Sequence, residues 1–452
     1  SKFIGVLPAK AGMPNVAFAE ANKYQPIASV LEAAKLAGKS TGIISTSNIQ
    51  HASPAGFSSH NFNRGDYNDI AEQQVNLNID VVLGGGKQYL LPKSEGGVRT
   101  DNENLIAVLK SRGYGFVENR EQLLSATDRK IWGMFASDAM AYELDREKLQ
   151  PQEPSLAEMT DKAIKVLSKN NKGFFLFVEG SKVDWASHAN DPSGVISDVL
   201  AFDDAVKTAL DFAKKDGNTL VLAFSDHGNG GMSLGNKMTD KNYDTLPYEA
   251  LVSPLHKAIV TGEGIEQILA DDRSETNIRE VLDKYFGITD LTTDEILAIQ
   301  KAKKGNMNAT VGPMLSKRSA IGWTTTGHTG EDLFLYGFGP NVPKGTVENT
   351  EIAKITANAL GVDLTNTSNR LFVEAAKAFD AIGAKTELDQ SDKENPRLIV
   401  TKGAVRAVLP VSTNTIIIGK ETKQMEGLTL FAAKIGKVFV PQQAVDLIKA
   451  AQ

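Results

Sequence analysis

Glu179, Asp184 and His188 fall within ten positions of one another in "VEGSKVDWASHAND", at the end of the apolar run "KGFFLFVEG". A carboxylate and an imidazole four residues apart share one face of a helix and can grip one ion. Oxygen paired with imidazole nitrogen suits zinc. Two further stretches carry the same residue types. "SDHGNGG" places Asp226 and His227 after "LVLAFS", and "TTTGHTG" places His328 just before "LFLYGFG". Taken singly, each stretch reads at least as readily as an exposed helix start, a strand-to-loop corner or a plain loop. Taken together the balance shifts, because three of the six histidines lie in loops at strand ends in acidic or glycine-rich company.

The elements around these residues have a common rhythm. Helical patterns alternate with short buried-strand patterns through the first two-thirds of the chain, which is the signature of an α/β domain with a mainly parallel sheet and helices on both faces. "PIASVLEAAKLAG" reads as a helix closed by Gly38, and "STGIISTS" and "DVVLGGG" as strands. "SLAEMTDKAIKVLSK" opens with a capping box, Ser155 and Glu158, and precedes the strand "GFFLFVEG". "VISDVLAFDDAVKTALDFAKKDG" reads as a long helix ending at Gly217, with "NTLVLAFSDHG" as the next strand. Residues 232–322 break the rhythm and form an expected helical insertion with a second capping box, Thr292 and Glu295. "DLFLYGFGP" returns to a strand and "NTEIAKITANALG" to a closing helix. The division that follows is a main domain over 1–361, a helical linker over 362–387 and a small β-rich accessory domain over 388–452. In open α/β sheets ligands sit at the carboxyl ends of the strands, where the groups named above fall. Two oxygen–nitrogen pairs and a third imidazole are ligands enough for two close metal ions, and such a centre serves phosphoryl transfer.

Bulk composition narrows the alternatives. The formal charge of -6 gives no basic face for sequence-independent nucleic-acid binding. No apolar run approaches the roughly 20 residues that span a bilayer. The absence of cysteine excludes disulfides, thiolate zinc sites and a cysteine nucleophile.

At these residues the sequence resembles the alkaline phosphatase family. The carrying motifs, in order, are "QHASPAG", "NFNRG", "VLGGG", "EGSKVDWASHA", "SDHGNGG" and "TTGHTG", within residues 1–361. The resemblance implies hydrolysis of phosphate monoesters, releasing inorganic phosphate, through a phosphoserine intermediate with two Zn2+ and one Mg2+. It implies that Asp184, His188 and His328 hold the first zinc, and Asp226 and His227 the second. Glu179 and the Ser53 hydroxyl would hold the magnesium. Arg64 would clamp phosphate oxygens, since a planar guanidinium meets them two-pronged. His51 and Trp185 sit where the family varies and would tune phosphate binding. The resemblance also implies a bacterial protein that is periplasmic, secreted or cell-surface, and it allows a homodimer.

Two family pieces are expected upstream of Ser1. One is a strand ending in Asp-Gly, whose Asp would bridge the second zinc and the magnesium. The other is the helix start that carries the nucleophilic serine. "SKFIG" lacks the small-residue helix that such a serine needs. The expectation is therefore a longer natural protein, or a separate N-terminal fragment as partner. The competing readings are a catalytically incomplete zinc-binding fragment and a phosphodiesterase- or sulfatase-like hydrolase of the same superfamily. The tail "RLIVTKGAVRAVLP" to "GLTLFAAKIGKVFVPQQAVDLI" resembles the small N-terminal-type domain of copper amine oxidases and implies no copper.

Overall fold

Alternation of side chains along the strands decides the layering. The computed structural model describes residues 23–242 and 244–451; Ser1 and "KFIGVLPAK" lie outside the described residues. Helix α1 (Val30–Leu36) starts at a capping box in which the Ser29 hydroxyl and the Glu32 carboxylate satisfy each other's backbone N–H. Strand β1 (Ser40–Asn48) follows, then α2 (Ala52–Ser58), α3 (Tyr67–Asn76), β2 (Val81–Gly85), β3 (Gly115–Val117) and β4 (Ile131–Ala136). Helix α4 (Leu156–Leu167) carries the capping box expected at Ser155 and Glu158. It leads to β5 (Phe174–Glu179), α5 (Lys182–His188) and the long α6 (Pro192–Asp216), which stops at the left-handed Gly217.

The five strands form a parallel sheet in the order β3-β4-β2-β1-β5. Successive residues feed opposite faces. Ile43, Val82 and Trp132 join the core under α1 and α3, whereas Ile44, Leu83 and Ile131 join the core under α4. Apolar residues on both faces are what a helix-covered parallel sheet requires. Chain order reverses between β1 and β5, so the crevice beyond their carboxyl ends is the topological switch point, the expected place for a ligand.

Beyond α6 the outcome differs from the sequence reading. "NTLVLAFSDHG" contributes only the three-residue β6 (Val221–Ala223), followed by β7 (Gly228–Asn229). "DLFLYGFGP" contributes only β9 (Tyr336–Phe338), which pairs antiparallel with β6; the short β8 (His328–Thr329) pairs antiparallel with β7. Among the described residues β6 does not join the five-stranded sheet, and β5 has no partner on its outer side. The apolar side chains there stay open, with Phe334 80% and Tyr336 65% exposed.

The insertion is helical, as its composition indicated, and the Thr292–Glu295 capping box forms. It has its own core, including Val260, Ile278, Phe286 and Leu315. The tail is an antiparallel five-stranded meander plus a three-stranded sheet and a final helix, Gln442–Ala450. Residues 364–389 hold two helices and the strand Lys385–Asp389, which is the first strand of that meander, and Phe379 lies in its core. The tail meets the main sheet domain where Ser412 bonds Asp69 and where Ala28 N donates to Ser368 Oγ at 2.9 Å. No helix among the described residues is long and apolar enough to cross a membrane.

The glycines of "VLGGG" permit close backbone approach at the end of β2. A Cβ on Gly85 would lie 2.0 Å from the Asp138 carbonyl oxygen. Gly85→Ala should therefore destabilise the domain by about 1–3 kcal/mol through overpacking. Urea unfolding would show a lower midpoint, and an unchanged midpoint would contradict this packing.

Candidate active site

Helix α5 follows the end of β5 within three residues, which brings Asp184 and His188 to the crevice. Asp184 Oδ1 lies 3.5 Å from His188 Nε2, one helical turn away. His328 arrives from the far side of the insertion on β8, whose register sets His328 opposite Asn229 of β7. The ligand atoms of Asp184, His188 and His328 all lie within 4.8 Å of one another. A carboxylate and two imidazoles at that spacing fit a zinc ion.

Hydrogen bonds set the imidazoles for that role. The Nδ1 of His188 donates to the Thr326 carbonyl at 2.6 Å, leaving Nε2 with its lone pair toward Asp184. His227 repeats the pattern: Nδ1 faces the Gly228 carbonyl at 3.2 Å and Nε2 faces Asp226 Oδ2 at 3.4 Å. The His227 ring stacks on His328 with centroids 3.6 Å apart. Asp226 and His227 thus form a pair beside the first cluster. No third ligating residue joins them at comparable spacing among the described residues.

Glu179 ends β5 and accepts from Ser45 Oγ at 2.6 Å; Ser181 and Ser53 also hydrogen-bond to it. Burial pushes the Glu179 carboxyl above its usual range, the three hydroxyls oppose that shift, and Asp226 adds to it. A carboxylate ringed by hydroxyls is the hard oxygen environment that suits magnesium. Arg64 Nη2 donates to His51 Nε2 at 3.3 Å. His51 therefore accepts there and is neutral. Burial first, then the Arg64 charge, hold its pKa below the ordinary imidazole value. Its ring meets Trp185 edge-on at 5.4 Å.

All ten residues singled out in the sequence thus lie on one rim, in three adjoining groups. Sequence reasoning missed the residues that hold them. Asn229 Nδ2 donates to Asp184 Oδ1 at 2.6 Å and to the Asp184 carbonyl at 3.1 Å. Its signal was present, since it lies inside "SDHGNGG". Ser45 and Ser47, buried serines near the end of β1, link to Ser181 and so to Glu179. Lys182, 1% exposed, packs its ammonium 4.4 Å from the Trp185 ring and 3.3 Å from Glu263. Nothing in its sequence context marked it.

A parallel α/β sheet that delivers carboxylates, imidazoles and a guanidinium to its switch point defines a hydrolytic enzyme of the phosphate-ester class. The particular family follows from comparison. The chain matches the alkaline phosphatase family model over residues 4–362 and belongs to that family, whose members are metal-dependent phosphomonoesterases. Alkaline phosphatase 3 of Bacillus subtilis is 39% identical over 360 residues, 76% of this chain and 73% of that protein. The crystal structure of Thermus thermophilus alkaline phosphatase superposes with a TM-score of 0.66 at 28% identity, over 76% of this chain and 74% of that one. A TAB5 alkaline phosphatase mutant solved with Mg bound in the M3 site superposes with a TM-score of 0.50 at 27% identity, over 76% of this chain and 78% of that one.

Asp191 secures the helix behind the site. It caps α6 by accepting from the N–H groups of Ser193 and Gly194, both at 3.1 Å. Burial pushes its carboxyl up to about 7, against the caps that pull it down. The folded value lies above the unfolded one of about 3.9. Its stabilising contribution is therefore full below pH about 4 and is lost as pH rises through about 7. Asp191→Asn, which keeps the cap, should gain on wild type by about 1–3 kcal/mol between pH 5 and 8. Urea midpoints across that range test this; a difference independent of pH would refute the assignment.

Proposed function

We propose that this chain hydrolyses phosphate monoesters at the β1/β5 switch point, with two zinc ions and one magnesium ion as resident metals and a phosphoserine intermediate. The observation that carries the reading is the convergence of Asp184, His188 and His328 within 4.8 Å beside the His51–Arg64 pair. Asp184, His188 and His328 would hold the first zinc, and Asp226 with His227 the second. Glu179 and Ser53 would hold the magnesium, the metal bound in the M3 site of the TAB5 mutant. Metal ions bound there supply Lewis-acid charge and activate a water molecule.

The chain's own residues have distinct tasks. Arg64 offers a planar pair of donors to phosphate oxygens and balances charge that grows on them. His51, neutral and acceptor-only toward Arg64, fixes that guanidinium without competing for phosphate. Trp185 bounds the other side of His51. Asn229 holds one Asp184 oxygen and so fixes the plane of the carboxylate. One further aspartate ligand is assigned to a strand, and the attacking serine to a helix start, both upstream of Ser1. The open outer edge of β5 and the detached β6–β9 pair support that assignment, since a strand placed between them would pair both edges.

Turnover of p-nitrophenyl phosphate on this chain and on an N-terminally extended one separates the readings. Activity in the extended form alone would locate the nucleophile upstream and leave this chain a metal-binding fragment; activity in neither would sink the phosphatase reading. In the active form His328→Ala should lose one zinc by elemental analysis, and Arg64→Ala should lose about 10²–10³-fold in kcat/KM. Unchanged zinc content in His328→Ala would remove that histidine from the centre.

A further inference from the structure

A second set of carboxylates lies outside the site. Glu72 projects from α3, and Asp101 and Glu103 lie just before the helix Leu105–Ser111. One oxygen from each lies within 4.8 Å of the others. The only cation among them is Arg99, itself 1% exposed. Its guanidinium is fully engaged: Nη1 donates to the carbonyls of Asn68 at 2.8 Å and Tyr89 at 3.3 Å, and Nε donates to Asp101 Oδ1 at 3.1 Å. Nη2 bonds Asp101 and stands 3.7 Å from Glu103. Three carboxyl groups therefore meet one guanidinium, so the fully ionised set would carry two negative charges in excess.

One unpartnered side chain points into the cluster. Glu72 is 8% exposed, and its carboxylate has no hydrogen-bond or ion-pair partner among the described residues. A buried carboxylate lacking a donor is costly unless something positive meets it. Asp69, the neighbouring acid, has no such need, because Ser412, Asn61 and Gln73 donate to it.

We infer that Glu72, Asp101 and Glu103 bind a divalent cation of the calcium type. All the donors are hard oxygens and none is imidazole, which selects calcium over zinc. A doubly positive ion cancels the excess charge. Calcium also tolerates irregular ligand placement better than magnesium does. Burial raises Glu72 well above the carboxylate range, with Glu103 and Asp69 adding to the shift, so a proton and the cation compete for this place. The bound ion would tie α3 to the loop that carries Arg99.

The test uses the full chain in metal-scrubbed buffer with zinc held constant. Calcium is titrated by calorimetry, and thermal midpoints are recorded with and without it. Wild type should bind one calcium per chain beyond any that Glu72→Gln retains, and its midpoint should rise. Glu72→Gln and Glu103→Gln should each weaken that binding by on the order of 10–100-fold. Without calcium both variants should be about as stable as wild type, since neither carboxyl makes a hydrogen bond that the substitution would break. Glu103, 41% exposed at its side chain, serves as the second variant should the buried position not fold. A wild-type midpoint indifferent to calcium, or an equal rise in both variants, would overturn the assignment.

Discussion

His328 reaches Asp184 because Asn229 stands opposite it in a ladder only two residues long. Asn229 has two tasks at once. Its backbone pairs with His328, and its side chain donates to the Asp184 carboxylate and carbonyl. The two halves of the metal-ligating cluster come from distant parts of the chain, separated by the whole insertion. Everything else at the rim assumes that they are held together. The left-handed glycines at 230 and 231, beside Trp323 and Thr324, let the chain turn tightly enough for this ladder to form.

The rim gathers like charges, and the surrounding dipoles make this tolerable. Glu179 is kept among hydroxyls, Asp184 beside an amide, and the Nδ1 atoms of His188 and His227 face backbone carbonyls. Each arrangement leaves an oxygen or nitrogen lone pair aimed into the crevice. Such groups are oriented before any ligand arrives, so binding need not reorganise them. Arg64, held by His51 beside Trp185, supplies the positive character that an anionic phosphate needs.

The sheet and the site meet at one place. β5 ends in Glu179, runs on into Asp184 and His188, and has an open outer edge among the described residues. β6 runs on into Asp226 and His227 and stands apart from the main sheet. In the proposed reading a further strand pairs these free edges, and completion of the sheet and completion of the chemistry would be one event. The tail domain lies elsewhere, bonded to α3 through Ser412 and Asp69.

The sequence by itself determined the α/β class, the capping boxes at Ser155 and Thr292, the helical insertion and the ten rim residues. Those signals are local: periodicity, cap chemistry, and residue types at short spacing. It also carried the motifs that mark the family. Tertiary structure alone decided that His328 joins Asp184 and His188 while Asp226 and His227 form a pair beside them, because that grouping depends on a long-range register. It decided that β6 pairs with β9 rather than with β5, since strand partners are chosen across the fold and not along the chain. Lys182 under Trp185, and Glu72 facing Asp101 and Glu103, were invisible for the same reason. A buried charge is recognised by what surrounds it, and its surroundings come from elsewhere in the sequence.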